Sequence, residues 1–559
     1  MPRSRPDANL RAEEDPSLAT RGETSWTRPS LALLVLAFAL VIAGSAALWF
    51  ATVDDAFIYY RCAQHLAAGD GPTFNPGERI ETFSSMLWTA LLAGGIRLGW
   101  DPEMLSKLLG LLSALGLIAL VARAAVRSAV RPAIAGTTVV ALACVPTLHY
   151  SSVFGLETAF FALAVALASL VPALGLGFRA ETALLAIGLF ATITGRPEGV
   201  LVAGLVSFVA LREQRAQRWG HAIGWSLGLS IIAARLVYFH TLLPAPFLAK
   251  PTPWRGALLN GVEGLAFTVA RQGYLLLDGL FAIGGGVVAL LALRGVLTRS
   301  TDLPSAQPAA IRSARAAVLA MLLVLLYASK DWMLGARFAL PCAAPLFYLA
   351  ALQAEELAGA WWSTSQRRLA LAAACFVLAC LFGLGTTFGV LRDLRRGYRN
   401  PALVGSRYVE MGRWLHDHAH PDDRVLAYEI GGIGYASDLT VIDHRGLATE
   451  AVARIIERAG RYSDVRLGRD ERAMRELAAT CVALRPAWCF VRVNAEVFAR
   501  SEVGSPLLPA DAIAPIQQTL VELLGSEFRI AQRFPLRDDG TGEGYLLLHR
   551  TPSTLDQPR

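Results

Sequence analysis

Apolar runs of membrane-crossing length alternate with short polar breaks along most of the chain, and the pattern then changes abruptly. The first run, LALLVLAFALVIAGSAALWF over 31–50, holds no charge, and about 20 apolar helical residues cross the hydrocarbon core of a bilayer. The same criterion predicts spans over 103–122, 132–147, 156–175, 181–194, 199–211, 221–239, 274–296, 313–328, 337–353 and 369–390, about 11 in all. MLWTALLAGGIRLGW, beginning at Met86, is apolar but short and contains Gly94 and Gly95, so it suits an interfacial or re-entrant helix better than a span. Further on, VLAYEIGGIGYASDLTVIDHRG alternates strand-like runs with glycine turns, DERAMRELAATCVALRP has a helical period, and PAWCFVRV and EGYLLLHR read as strands. The expectation is a polar, disordered tail over 1–30, a helical transmembrane domain over 31–400 and an α/β domain over 401–559.

Composition agrees with a polytopic membrane protein. Of 559 residues 54% are hydrophobic and only 17% charged, against a charged share of about 25% in soluble proteins. The net charge of +7 does not mark a nucleic-acid binder, because the basic residues cluster in the short breaks between apolar runs, as a topology signal does. Arg11, Arg21 and Arg28 place the N-terminus in the cytoplasm; Arg123, Arg127 and Arg131, then Arg179, then REQRAQR, Arg294 with Arg299, and Arg367 with Arg368 keep the same phase. All the polar, non-repetitive loops then fall on the other side: DDAFIYYR, FNPGERIETFSS, FGLET, GRPEG, LLPAPFLAK and SKDWMLGARF. The expected location is the inner (plasma) membrane, multi-pass, with the α/β domain extracytoplasmic. None of the seven cysteines forms a CxxC pair; Cys481 and Cys489, in the polar domain, are the two open to bridging.

Candidate chemistry begins at Asp54 and Asp55, directly after the first span. Two adjacent acids there are either a helix cap solvated by headgroup water or part of a functional cavity. In a helix starting at this point Asp54, Ile58 and Arg61 share one face and Asp55 lies about a quarter turn away. A carboxylate beside a like charge in a lowered dielectric gains proton affinity and can accept a proton from an attacking hydroxyl, with Arg61 orienting it or holding an anionic group. The GGIG turn that follows a predicted strand is either a phosphate cradle or a tight strand-to-helix connection.

Taken in order, DDAFIYYRCAQHLAAGDGPTFNPGERIETFSSMLW, VFGLETAFF, TGRPEG, LLPAPFLAK, DWMLGARFALP and EIGGIGYASD resemble the GT-C superfamily of membrane glycosyltransferases. The resemblance is to the group containing the mycobacterial terminal β-arabinofuranosyltransferase and its proteobacterial relatives, some described as flagellar motor control proteins. It implies a GT-C fold and inverting transfer of a sugar from a polyprenyl-phosphate donor to a cell-envelope glycan or lipid-linked acceptor on the extracytoplasmic face. It also implies that the first acid of the pair, Asp54, is the base and Asp55 its neighbour. The chain departs from the group at Cys62, where an aromatic is common, and at Ala336, where Gly is common, which leaves the donor sugar open.

A leaving polyprenyl phosphate must be stabilised as its charge develops. Lys250, then Arg337, with Arg196 and Arg61, are the expected phosphate-binding residues, although a helix-end cation also snorkels to lipid headgroups. Glu81, Ser84, Glu157, Glu198, Asp331 and Trp332 are the expected substrate-binding groups, with Glu157 and Glu198 well placed to pair with an arginine because an unpaired buried charge is disfavoured. No metal and no other cofactor is called for: a lipid monophosphate carries less charge than a pyrophosphate, and ligand spacing of His and Cys is absent from the outer loops, a divalent cation on acidic oxygens being the alternative. Two other classes compete. A secondary transporter should show internal repeats and charges near mid-membrane. A noncatalytic membrane assembly factor should keep its interactions in an Asp54→Asn variant.

Overall fold

A computed structural model describes residues 26–210, 215–248, 307–327, 333–362, 366–395, 405–459, 465, 468–536 and 543–551, together with 266, 268–269, 291 and 294–297. The chain enters through α1 (Arg28–Ala47), whose first turn is closed by reciprocal hydrogen bonds between Thr27 and Ser30. A short extended link, held by Gly405 N–H donating to the Thr52 carbonyl at 2.6 Å, leads to α2 (Asp54–Ala68). Gly69 ends α2 in the left-handed conformation, φ 101°, a position that favours glycine. Ser85 caps α3 (Met86–Arg97) and Asp101 caps α4 (Pro102–Arg127), each by accepting from a backbone N–H of the first turn.

Among the described residues seven helices are long and apolar enough to cross a membrane: Arg28–Ala47, Pro102–Arg127, Phe178–Gly195 (α8), Gln217–Phe239, Pro308–Tyr327, Arg337–Gly359 and Val377–Arg395. An eighth span is the pair α5 (Pro132–Ala143) and α6 (Pro146–Val153), bent by 61°. Pro146, which has no N–H to give, stands at that break. Two further predicted spans are the shorter apolar helices α7 (Thr158–Leu170) and α9 (Gly199–Ala210), whose inward sides pack into the common core. The span predicted over 274–296 lies largely outside the described residues. α3 packs on α2 beside the bundle rather than within its core.

Five strands form the sheet of the C-terminal domain: β1 (Arg424–Ala427), β2 (Thr440–Asp443), β3 (Trp488–Val493), β4 (Phe528–Pro535) and β5 (Gly544–Arg550), in the order β2-β1-β3-β5-β4. β1 runs parallel to β2 and β3, and β5 is antiparallel to both β3 and β4. Alternation with period 2 sorts the side chains into two cores. Leu426, Ile442, Val491 and Leu548 face helices Glu450–Ala459, Glu471–Ala483 and Pro515–Leu524. Val425, Val441, Phe490 and Leu547 face helix Ser406–His418 and belong to one continuous core with Phe57, Tyr60 and Phe74 of the segment between α1 and α3. Cys481 and Cys489 are both free thiols, buried in the first of these cores.

Candidate functional site

The site lies where α2 meets the end of β1. Asp54, the first residue of α2, accepts from Gly431 N–H at 3.0 Å on Oδ2 and from Gly432 N–H at 2.8 Å on Oδ1. These amides open a seven-residue helix, Gly431–Ser437, so the GGIG turn of the sequence cradles a carboxylate of its own chain. Two turns along α2, Arg61 donates to Phe74 O at 2.6 Å, to Leu439 O at 2.8 Å and to Gly434 O. The acid therefore sits at the positive end of the short helix and the guanidinium near its negative end, which is the favourable sense for both charges. Glycine is required for this approach: a Cβ on Gly431 would stand 1.9 Å from the Asp54 carbonyl oxygen. Asn75 completes the joint by exchanging hydrogen bonds with Val441 of β2 at 2.9 and 3.0 Å.

Around this joint acidic groups accumulate. Asp54 is only 1% exposed and Asp55 is half-buried. Glu429, two residues beyond β1, is 9% exposed, and Arg445 stands 3.9 Å from its Oε2 while lying over the Tyr428 ring at 4.8 Å. Burial raises the proton affinity of Asp54 well above that of an ordinary aspartate; the charges of Glu429 and Asp55 add to this, and the two glycine amides oppose it. Burial likewise pushes Glu429 up to about 7 against the opposing pull of Arg445. Asp443, at the end of β2, is buried and pushed up to about 6; it accepts from the N–H groups of Arg445, Leu447 and Ala448 and so shapes the loop that carries Arg445.

The other predicted residues fall into separate groups. Arg196 forms ion pairs with Glu157 and, at 2.5 Å, with Glu198, so its charge is balanced by two carboxylates. Its guanidinium is 5.0 Å from the Phe338 ring, and Arg337 lies 5.2 Å from the same ring. Ser84 links this group to α2 through Tyr59 at 2.9 Å and Glu157 at 3.5 Å. Glu81 is buried and both its oxygens are taken by Arg235 Nε at 2.6 and 2.7 Å, which staples the loop between α2 and α3 to α10 (Arg215–Phe239). Lys250, Asp331 and Trp332 lie outside the described residues. Among the described residues no group of three His, Cys, Asp or Glu side chains is arranged to hold a metal ion.

A cleft of about 520 Å³ lies between residues 79–81, the end of α10 and the C-terminal domain, lined among others by Arg79, Glu81, His240, Arg445, Glu450 and Arg454. Arg445 belongs both to this cleft and to the surroundings of Glu429. Neither Glu429 nor Arg445 stands out in the sequence. The one available signal is position, since loops at the carboxyl ends of parallel strands are where α/β sheets carry their sites.

Residues 396–543 match a family described as "Domain of unknown function (DUF8728)". Over 82 residues the chain is 37% identical to the terminal β-(1→2)-arabinofuranosyltransferase of Corynebacterium glutamicum, covering 14% of this chain and 12% of that protein. Over 52 residues it is 48% identical to the protein of the same description from Mycobacterium tuberculosis, covering 9% of this chain and 8% of that one. The match thus spans a small part of either relative. In three dimensions the chain is similar to ArnT from Cupriavidus metallidurans, with a TM-score of 0.54 in the apo state (14% identity, 95% of this chain and 100% of that chain). The TM-score is 0.50 for the same protein bound to undecaprenyl phosphate (13% identity, 94% and 99%). A bundle of apolar spans, an acid pair directly after the first of them and an α/β domain packed against that pair give this chain the fold of the ArnT structures, the GT-C fold.

Proposed function

We propose that the protein transfers a sugar from a polyprenyl-phosphate donor to a hydroxyl of a cell-envelope glycan or lipid-linked acceptor, with inversion, at the extracytoplasmic face of the plasma membrane. The observation that carries this reading is the set of carboxyl groups, Asp54, Asp55 and Glu429, collected where α2 meets the α/β domain, with Arg445 standing between Glu429 and a neighbouring cleft. Such a set can take the proton of an acceptor hydroxyl as it attacks the anomeric carbon. The ArnT structure with undecaprenyl phosphate supports a lipid phosphate as the leaving group, and the two curated relatives favour arabinofuranose as the sugar.

In this reading Arg337 and Lys250 meet the departing phosphate and supply its counter-charge without a metal. Arg196, already balanced by Glu157 and Glu198, fixes the Phe338 ring against which Arg337 rests. The test is transfer of labelled sugar from a polyprenyl-phosphate donor by purified protein, wild type against Asp54→Asn combined with Asp55→Asn. Loss of one carboxylate function of this kind typically removes about 10²–10⁴ in rate, and undiminished transfer in the double variant would overturn the reading.

A further inference from the structure

We propose that the cleft between residues 79–81, the end of α10 and the α/β domain is a saccharide subsite, holding acceptor sugars remote from the one that reacts; this deepens the glycosyl-transfer reading above and rests on it.

The walls of the cleft face water and come from both domains. Arg79 and His240 are exposed on one side, and Glu450, Arg454 and Glu457 are exposed on the other. Such walls suit a hydrated sugar chain and not a polyprenyl tail. Helix Glu450–Ala459 explains the far wall: Val452, Ile455 and Ile456 are buried toward the sheet, so helical spacing puts Glu450, Arg454 and Glu457 on the opposite side. The near wall is fixed before any ligand arrives, because Glu81 is held by Arg235 and its carbonyl accepts from Ala245 N–H at 3.0 Å.

The chemistry of the lining selects the ligand. Among the described lining residues three arginines, Arg79, Arg445 and Arg454, are matched by three acids, Glu81, Glu450 and Glu457, so the cleft is not built for an anion. Sugar hydroxyls both donate and accept, and alternating guanidinium and carboxylate groups meet a row of them, while Ile80, Phe239 and Leu243 cover C–H faces. Two of the guanidinium groups lie over rings, Arg79 at 5.3 Å from Tyr238 and Arg445 at 4.8 Å from Tyr428. Stacking holds their donors in a plane and lowers the entropy lost on binding. Among the described residues the side chains of Arg79 and Glu457 have no hydrogen-bond or ion-pair partner, which leaves that capacity for a ligand.

His240 adds a backbone mark. It follows α10 in the left-handed conformation, φ 56°, which favours glycine, and non-glycine residues held there gather at ligand sites. The volume of about 520 Å³ falls in the range of about 300–1,000 Å³ typical of small-molecule sites. Arg445 stands between the cleft and Glu429, 3.9 Å from its Oε2, so a sugar chain in the cleft has one end a side chain away from the carboxyl set.

The experiment measures calorimetric binding of arabinofuranoside and mannoside disaccharides and hexasaccharides to the full-length protein in detergent. Transfer to the same acceptors from polyprenyl-phosphate arabinofuranose and its hexose counterpart is then followed. The hexasaccharide of one series should bind about tenfold tighter than its disaccharide, the worth of one hydrogen bond to a charged group. Arg79→Ala and Glu457→Gln should each remove about that factor and raise the hexasaccharide KM alike, with kcat kept. His240→Gly separates binding from folding: glycine relaxes the backbone, so hexasaccharide binding should weaken with no fall in melting temperature. No advantage of hexasaccharide over disaccharide in either series, or wild-type binding in all three variants, overturns the proposal. A rise in the donor KM with the acceptor KM unmoved overturns it too. All three outcomes leave the transferase reading standing. Hexasaccharide binding without transfer from either donor overturns that underlying reading instead.

Discussion

Two acids of the α/β domain hold their protons unusually tightly because they are buried: Glu429 at about 7 against an ordinary 4.5, and Asp443 at about 6 against 3.8. A group whose folded value is raised contributes stability that is full below its unfolded value and is lost as pH climbs through the folded one. For Glu429 this window runs from about 4.5 to about 7. Glu429→Gln has no such window, so its melting temperature relative to wild type should be higher at pH 8 than at pH 5. Differential scanning at the two values measures this, and an equal difference at both would show that Glu429 is not held protonated by its surroundings. That Asp54 and Asp55 follow directly on an uncharged run was legible in the sequence. Glu429 was not, because a single glutamate after a short strand carries no local mark, and what distinguishes it is burial against residues remote in sequence.

At the scale of elements, α2 and the short glycine helix form one joint, and Arg61 is its second fastening. The side chain satisfies carbonyls at Phe74, Gly434 and Leu439 that are otherwise shut away from water, and each buried acceptor left unmet costs about 1–3 kcal/mol. Arg61→Ala should therefore destabilise the joint by several times about 1 kcal/mol and expose the connection before the α/β domain to protease. Arg61→Lys should recover only part, since an ammonium lacks the planar fork that reaches carbonyls in several directions. Limited proteolysis and thermal melting of the purified protein measure both, and an unchanged digestion pattern in Arg61→Ala would refute the fastening role. The one-face spacing of Asp54 and Arg61 was readable from helical period, but their partner was not: Gly431 lies 377 residues beyond Asp54. The strand β4, FRIAQRFP, escaped the sequence pattern because a register shift at Ile530 and Gln532 breaks its alternation.

For the whole molecule, the membrane spans were the most legible feature, since apolar length is a one-dimensional signal. The bend at Pro146 and the inward packing of α7 and α9 depend on neighbours and so were hidden in it. The basic breaks predict a sidedness, and with it opposite labelling of two exposed positions, Asp422 in the α/β domain and Arg218 near the start of α10. In single-cysteine variants carrying Asp422→Cys or Arg218→Cys, a membrane-impermeant maleimide applied to intact spheroplasts should modify only the first. Modification of both before lysis, or of the second alone, would reverse the topology and with it the site.

The shared core between α2 and the sheet also has a consequence for how the protein is made. Phe57, Tyr60 and Phe74 emerge early in synthesis, whereas Val425, Val441 and Phe490, which cover them, are translated last. The segment between α1 and α3 must wait without this cover through the insertion of nearly every span. A chain that stopped before Gly405 would leave Phe57, Tyr60 and Phe74 without that apolar cover.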